Sequence, residues 1–235
     1  DGSIYYEQKT ISPLYDKEGN ITHFLSTGQD ITEQLNTESR LRYLTTYDPL
    51  TGLLNQSELI NKLEQWIDSL TDKHSHIAVV VIGLDNFLRL NEVLGKSLGE
   101  QILQRLAERL TQAMETSAIA RIGEDKFCLA VQMKNPTMVI QRIDSWLNRL
   151  AEPLEINEET IVVTATAGIS WYPEDGKEGG ELVQKAETAM YIAKSEETHS
   201  FRSYTSDMQA QFSEYLRITK DLLGAMERQE FTVYY

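Results

Sequence analysis

Between two segments patterned as amphipathic helices lies Ile77-Ala-Val-Val-Val-Ile-Gly-Leu84, an apolar run with no polar residue to alternate with. A strand with one wet face alternates polar and apolar side chains, so a run of this kind reads as a buried strand, and burying it takes helices layered on a sheet. The flanking sequence supplies them. Ile60, Leu63, Ile67 and Leu70 precede the run at helical spacing, and Ile102, Leu103, Leu106 and Leu110 mark a long helix after it. Ala118 to Ile122 and Phe127 to Gln132 read as short strands joined by the turn residues Gly123-Glu-Asp-Lys126. Val139, Ile143, Trp146, Leu147 and Leu150 mark another helix, Ile161 to Trp171 a β-branched strand, Leu182 to Lys194 a helix and Phe201 to Tyr204 a short strand. A last helix is expected over roughly Ser206 to Arg228. The alternation of strands and helices, with one hairpin among them, predicts an α/β (α+β) fold with a mixed central β-sheet layered with helices.

Charge and cysteine content narrow the partners. The formal charge of -14 over 235 residues repels a phosphate backbone, and no run of Lys and Arg with interleaved aromatics offsets it, so nucleic acid is not expected as a partner. The single cysteine, Cys128, sits in an apolar strand-like run and is expected to pack there; one thiol allows no disulfide within the chain, which suits a cytoplasmic location. The run at 77–84 is too short to cross a bilayer, and no membrane contact is expected of this segment; an anchor elsewhere in a longer polypeptide stays open. His23, His74, His76 and His199 are scattered, lack the further ligands of a zinc site, and read as surface histidines.

Three stretches carry a family resemblance. Tyr47-Asp-Pro-Leu-Thr-Gly-Leu-Leu-Asn55 resembles the opening signature of GGDEF domains, which condense two GTP molecules into cyclic di-GMP. Leu84-Asp-Asn-Phe-Leu-Arg-Leu-Asn-Glu-Val-Leu-Gly95 with Gly99-Glu100 is similar to the end of the family's first strand and its GTP-facing helix. Gly168-Ile-Ser-Trp-Tyr-Pro-Glu-Asp-Gly176 and Ala186-Glu-Thr-Ala-Met-Tyr-Ile-Ala-Lys194 are similar to its C-terminal half. Several motifs in the family's order identify the fold as the nucleotidyl-cyclase or palm-like one.

The flanks resemble other families. Residues 1–33, two strand-like runs about Asp16-Lys-Glu-Gly-Asn20 ending in Gly28-Gln-Asp-Ile-Thr-Glu33, look like the last strands of a PAS sensor domain. Residues 34–46 read as a linker helix with a thin stripe at Ile31, Leu35, Leu41 and Leu44, which either pairs with a second chain or packs on its own domain; Asp30 is placed to cap it. The GGDEF-like domain occupies 47–204. Residues 205–235 look like a linker helix and the first strand of an EAL domain, the family that hydrolyses cyclic di-GMP.

The resemblance also marks what has changed. Cyclase chemistry uses divalent metal held by carboxylates. The first strand of the family ends in Asp-x-Asp, its first Asp a metal ligand; here that place is Gly83, and only Asp85 is kept. The name motif becomes Gly123-Glu-Asp-Lys-Phe127: Asp125 keeps the metal-ligand position, Glu124 replaces a glycine that lets the backbone approach the nucleotide, and Lys126 replaces a Glu. Asn91 matches the guanine-contacting Asn, Glu100 stands for its partner Asp one methylene longer, and Lys194 matches a phosphate-contacting Lys able to stand in partly for a metal. The alternatives are a helix cap and a solvated helix face for Asn91 and Glu100, and a plain surface lysine for Lys194. Two further phosphate contacts are lost, at Leu88 and near Thr198, and the inhibitory Arg-x-x-Asp site holds Met114 and Ser117, so no inhibitory cyclic di-GMP site is expected.

The resulting expectation is a catalytically inactive GGDEF domain that regulates cyclic di-GMP signalling. It would bind GTP, with Mg2+ as the only cofactor to consider, couple a fused PAS sensor to an EAL phosphodiesterase, and form a homodimer through the linker helices. A weak cyclase using Asp85 and Asp125, and a scaffold that binds no nucleotide, are the alternatives.

Overall fold

A computed structural model describes residues 5–70, 75–113, 118–135, 137–196, 199–228 and 230–232. The chain divides into two compact units, 1–46 and 47–235. In the first, β1 (Glu7–Tyr15) and β2 (Ile21–Asp30) form an antiparallel ribbon, and α1 (Thr32–Thr46) follows. Asp16 shapes the turn between the strands by accepting from the amides of Glu18 and Asn20, and the Asp30 carboxylate accepts from the Thr32 amide at the helix start, as its position in sequence suggests.

The second unit runs β3 (Leu54–Asn55), α2 (Gln56–Ser69), β4 (His76–Leu84), α3 (Phe87–Leu94), α4 (Lys96–Ala113), β5 (Ala118–Arg121), β6 (Lys126–Met133), α5 (Thr137–Leu150), β7 (Leu154–Ile156), β8 (Glu159–Ile161), β9 (Ala165–Tyr172), α6 (Gly179–Glu196), β10 (Phe201–Ser203) and α7 (Met208–Glu227). Six strands form one mixed sheet in the order β10-β9-β4-β6-β5-β3; β4 is antiparallel to both β6 and β9, while β10 and β3 join the edges in parallel. Strand β4 explains why its sequence does not alternate. Ala78, Val80, Ile82 and Leu84 enter a core shared with residues of α4 and α5, and Ile77, Val79 and Val81 enter a second core with Leu59, Leu63, Leu182, Ala186 and Met190. Helices cover both faces. Cys128 lies fully buried among the second set, and burial pushes its thiol pKa up.

The boundaries differ from the sequence reading in three places. The strand expected from Ile161 to Trp171 is two pieces: Ile161 ends a small hairpin turned at Asn157 and Glu158, both at positive φ, and the sheet strand starts only at Ala165. Thr164 falls between because its carbonyl receives the Asp85 amide. The helical stretch after β4 is broken at Gly95, whose φ of 85° suits glycine, so α3 and α4 meet at a corner. Phe231 and Thr232 carry no regular structure; Val233 to Tyr235, the rest of the strand expected there, lie outside the described residues.

Candidate functional site

The end of β4 is where the chain's polar residues converge. Its Gly83 lies opposite Lys126 on one side and Thr166 on the other, and the Leu84 amide donates to the Asp125 carbonyl at 3.0 Å. Beyond it the backbone turns sharply at Asn86, in the left-handed region with φ of 54°, and starts α3. Asp85, read from sequence as a residual catalytic carboxylate, is 6% exposed. One of its oxygens accepts from the Thr164 hydroxyl at 2.8 Å and from the His199 amide at 3.2 Å; the other accepts from the Thr166 hydroxyl at 2.9 Å. This carboxylate staples β4 to the strand beside it. Thr164 and Thr166 are two residues apart, a spacing visible in the sequence, but their partner is 79 or more positions away.

The β5–β6 hairpin forms the opposite wall. Arg121 holds it, with one nitrogen 3.2–3.3 Å from the Asp48 carboxylate and another donating to the Glu124 carbonyl at 2.9 Å. Glu124 is exposed and Asp125 half-buried. Lys126 points to α6: its ammonium lies 2.5 Å from the Glu187 carboxylate and 3.1 Å from the Tyr191 hydroxyl. Burial disfavours its charge, and the bonds to Glu187 and Tyr191 overcome that penalty and hold its pKa above the usual lysine value. Glu187 and Tyr191 escaped the sequence reading, although their spacing of four puts them on one helix face.

Lys194 also comes in from α6. Its ammonium donates to the Leu84 carbonyl at 2.6 Å and lies 3.8 Å from the Asp125 carboxylate. It is no ordinary surface lysine, because it fills the space beside Gly83: a Cβ on that residue would lie 3.2 Å from the Lys194 ammonium and 2.5 Å from the Met190 sulfur.

The third part is a cleft of about 550 Å³ between α3, α4 and the hairpin, a volume in the range of small-molecule sites. Asn91 and Glu100 both line it, together with Asp48, Leu88, Lys96, Arg121 and Glu124. Gly99 lets α4 pass close to α3; a Cβ there would lie only 1.8 Å from Asn91 Oδ1. That oxygen is buried with no hydrogen-bond partner, which neither a helix cap nor a solvated position explains. Glu100 is half-exposed, 3.9 Å from Lys96, in a loose pair of small energetic weight.

The chain belongs to the GGDEF family. The family described as "Diguanylate cyclase, GGDEF domain" matches residues 45–200. Over 195 residues the chain is 32% identical to the bifunctional diguanylate cyclase/cyclic di-GMP phosphodiesterase MucR of Pseudomonas aeruginosa, covering 82% of this chain and 28% of that protein. It is 28% identical over 217 residues to the cyclic di-GMP phosphodiesterase PdeR of Escherichia coli, covering 92% of this chain and 32% of PdeR. The chain thus spans about a third or less of these relatives. Among solved structures it is similar to the isolated GGDEF domain of TpbB from Pseudomonas aeruginosa, with 25% identity and a TM-score of 0.67 over 71% of this chain and 99% of that one. A sensory box/GGDEF family protein from Caulobacter crescentus matches with 30% identity and a TM-score of 0.62, covering 65% of this chain and 99% of that one. Membership places the domain in cyclic di-GMP signalling.

The GGDEF family implies a divalent cation at the end of β4, and the donors here do not fit one. Such an ion takes six or more oxygens, with carboxylates in its shell. Gly83 offers none, Asp85 is committed to its threonines, Lys126 and Lys194 are cations, and Asp125 is left alone. Among the described residues no three His, Cys, Asp or Glu side chains are grouped to hold a metal. The histidines are not uniformly superficial either: His76 lies 3.2 Å from Glu174 with a side chain 22% exposed, and the His199 ring reaches Asn148. His74, Met114, Ser117 and Thr198 lie outside the described residues. No helix among the described residues is long and apolar enough to cross a membrane.

Proposed function

We propose that this GGDEF domain is a non-catalytic regulator of cyclic di-GMP signalling whose cleft takes a guanine nucleotide, GTP, as an effector. The observation that carries the proposal is the buried, unpartnered Asn91 oxygen in the same cleft as the Glu100 carboxylate. An unsatisfied buried acceptor costs about 1–3 kcal/mol, which a ligand donor recovers. Guanine presents N–H donors along one edge, and an amide beside a carboxylate complements it; adenine presents a ring acceptor where the carboxylate sits. Lys194, beside the Leu84 carbonyl and Asp125, is the residue proposed to meet a phosphate.

The chemistry of condensation lacks its parts. Asp85 cannot turn away from Thr164, Thr166 and the His199 amide without losing three hydrogen bonds, and the place of the missing first-strand carboxylate is filled by Met190 and Lys194. These features support the inactive reading over a weak cyclase that works through Asp85 and Asp125. The flanks then act as the regulated parts: a PAS-like segment over 1–33, the linker helix at 34–46, and 205–235 as a linker helix with the first strand of an EAL-like domain. Transmission requires only that the nucleotide favour one arrangement of those connections.

A calorimetric titration of the whole chain with GTP and with ATP, followed by chromatography of the mixture, tests this. Saturable heat with GTP, at least about tenfold weaker binding of ATP and no cyclic di-GMP is the expected result. Recovery of cyclic di-GMP, or equal affinity for the two nucleotides, would contradict it.

A further inference from the structure

The misfit between the GGDEF metal position and the side chains around it has a consequence for the ligand. We infer that the cleft takes its guanine nucleotide without a divalent cation, the Lys194 ammonium occupying the position from which a metal would meet the phosphates; this rests on the nucleotide reading above.

Two observations converge on that position. The Lys194 ammonium is anchored by the Leu84 carbonyl at 2.6 Å and faces Asp125 at 3.8 Å, so the last carboxylate at the end of β4 already has a cation beside it. Gly83 has no side chain, and the space a side chain would enter holds Met190 sulfur at 2.5 Å and the Lys194 ammonium at 3.2 Å. A divalent ion entering here would meet the Lys194 ammonium and one already paired carboxylate, so like-charge repulsion opposes it and too few oxygens replace its water.

Lysine does part of the same work in another way. An ammonium is a compact point charge with three donors, able to hold one phosphate while keeping a bond to a carbonyl. Lys126 is not available for this, since its charge is matched by Glu187. On this inference the base meets Asn91 and Glu100 in the cleft, and a phosphate reaching past the hairpin to the end of β4 meets Lys194, which lies outside the cleft's own lining.

The test is GTP titration of the full chain by calorimetry in two media, one with excess Mg2+ and one with excess EDTA, repeated for Lys194→Met and Lys194→Arg. Dissociation constants within about threefold of each other in the two media are expected. Lys194→Met should weaken binding about tenfold or more in both, and Lys194→Arg should restore most of it. Binding at least about tenfold tighter with Mg2+ would overturn this inference and leave the nucleotide reading standing. Unchanged binding by Lys194→Met would overturn the role of the ammonium, whereas saturation in neither medium would sink both readings together.

Discussion

Asn91 and Asp175 illustrate how single residues carry different obligations in this domain. Removing the buried, unpartnered Asn91 oxygen takes away an acceptor that contributes nothing to the unliganded fold. Asn91→Ala is therefore expected to leave the melting temperature unchanged or raised while weakening GTP binding tenfold or more, which is about 1.4 kcal/mol or more. A parallel loss of stability and affinity would show that the amide is a structural residue. Asp175 behaves oppositely. Burial raises its pKa, although its carboxylate accepts from the Trp171 amide at 2.7 Å and Lys185 is near. A carboxyl with a raised folded-state pKa contributes its full stability below the unfolded value, and that contribution falls as pH rises through the folded value. Asp175→Asn removes this titration, so its stability relative to the unaltered chain should be greater at about pH 7 than at about pH 4, read from denaturation midpoints. An equal difference at both values would contradict the assignment. At this scale the sequence shows the losses at Gly83, Glu124 and Lys126 plainly, because each breaks a short motif. What filled the spaces was not legible. The partner of Lys126 lies 61 positions away and that of Lys194 lies 110 positions away, separations that no local pattern encodes.

Elements form where hydrophobic periodicity is strong and shift where backbone chemistry intervenes. The unbroken apolar run of β4 correctly implied helices on both faces, since both sets of its side chains are buried. The break at Gly95 and the split before Ala165 depend on one positive φ and one amide-to-carbonyl bond, which residue patterns signal weakly. β9 and α6 pack closely at Gly168, where a Cβ would lie 2.1 Å from both the Ala186 carbonyl and the Met190 amide. Backbone cannot yield as a side-chain tip can, so Gly168→Ala is expected to cost about 3 kcal/mol or more, seen as a large drop in melting temperature. A shift within experimental error would mean that α6 is not seated as described. Along α6, Tyr191 joins two regions: its hydroxyl meets Lys126 of the hairpin, and its ring stacks on Phe212 of α7 with centroids 5.2 Å apart. Phe212→Ala should lower hydrogen-exchange protection across α7 while leaving β4 unaffected. If protection in α7 is unchanged, the stack does not hold that helix.

For the molecule as a whole, the same contacts connect the cleft region to an exit. The hairpin that walls the cleft carries Lys126, Lys126 reaches Tyr191, and Tyr191 packs on α7, the helix within residues 205–235. Tyr215, Leu216, Ile218 and Leu222 on α7 are exposed, so this helix carries an apolar surface beyond its seat on α6. On the proposed reading the cleft serves recognition and the helices transmission, and the space beside Gly83 is filled by Met190 and Lys194. A crystal structure of the chain grown with GTP tests that account most directly. The expected density is an intact guanine nucleotide, its base edge on Asn91 and Glu100, a phosphate on Lys194, and Asp85 still held by Thr164 and Thr166. Cyclic di-GMP in the cleft, or a metal ion bridging Asp125 to the phosphates with Lys194 displaced, would contradict it.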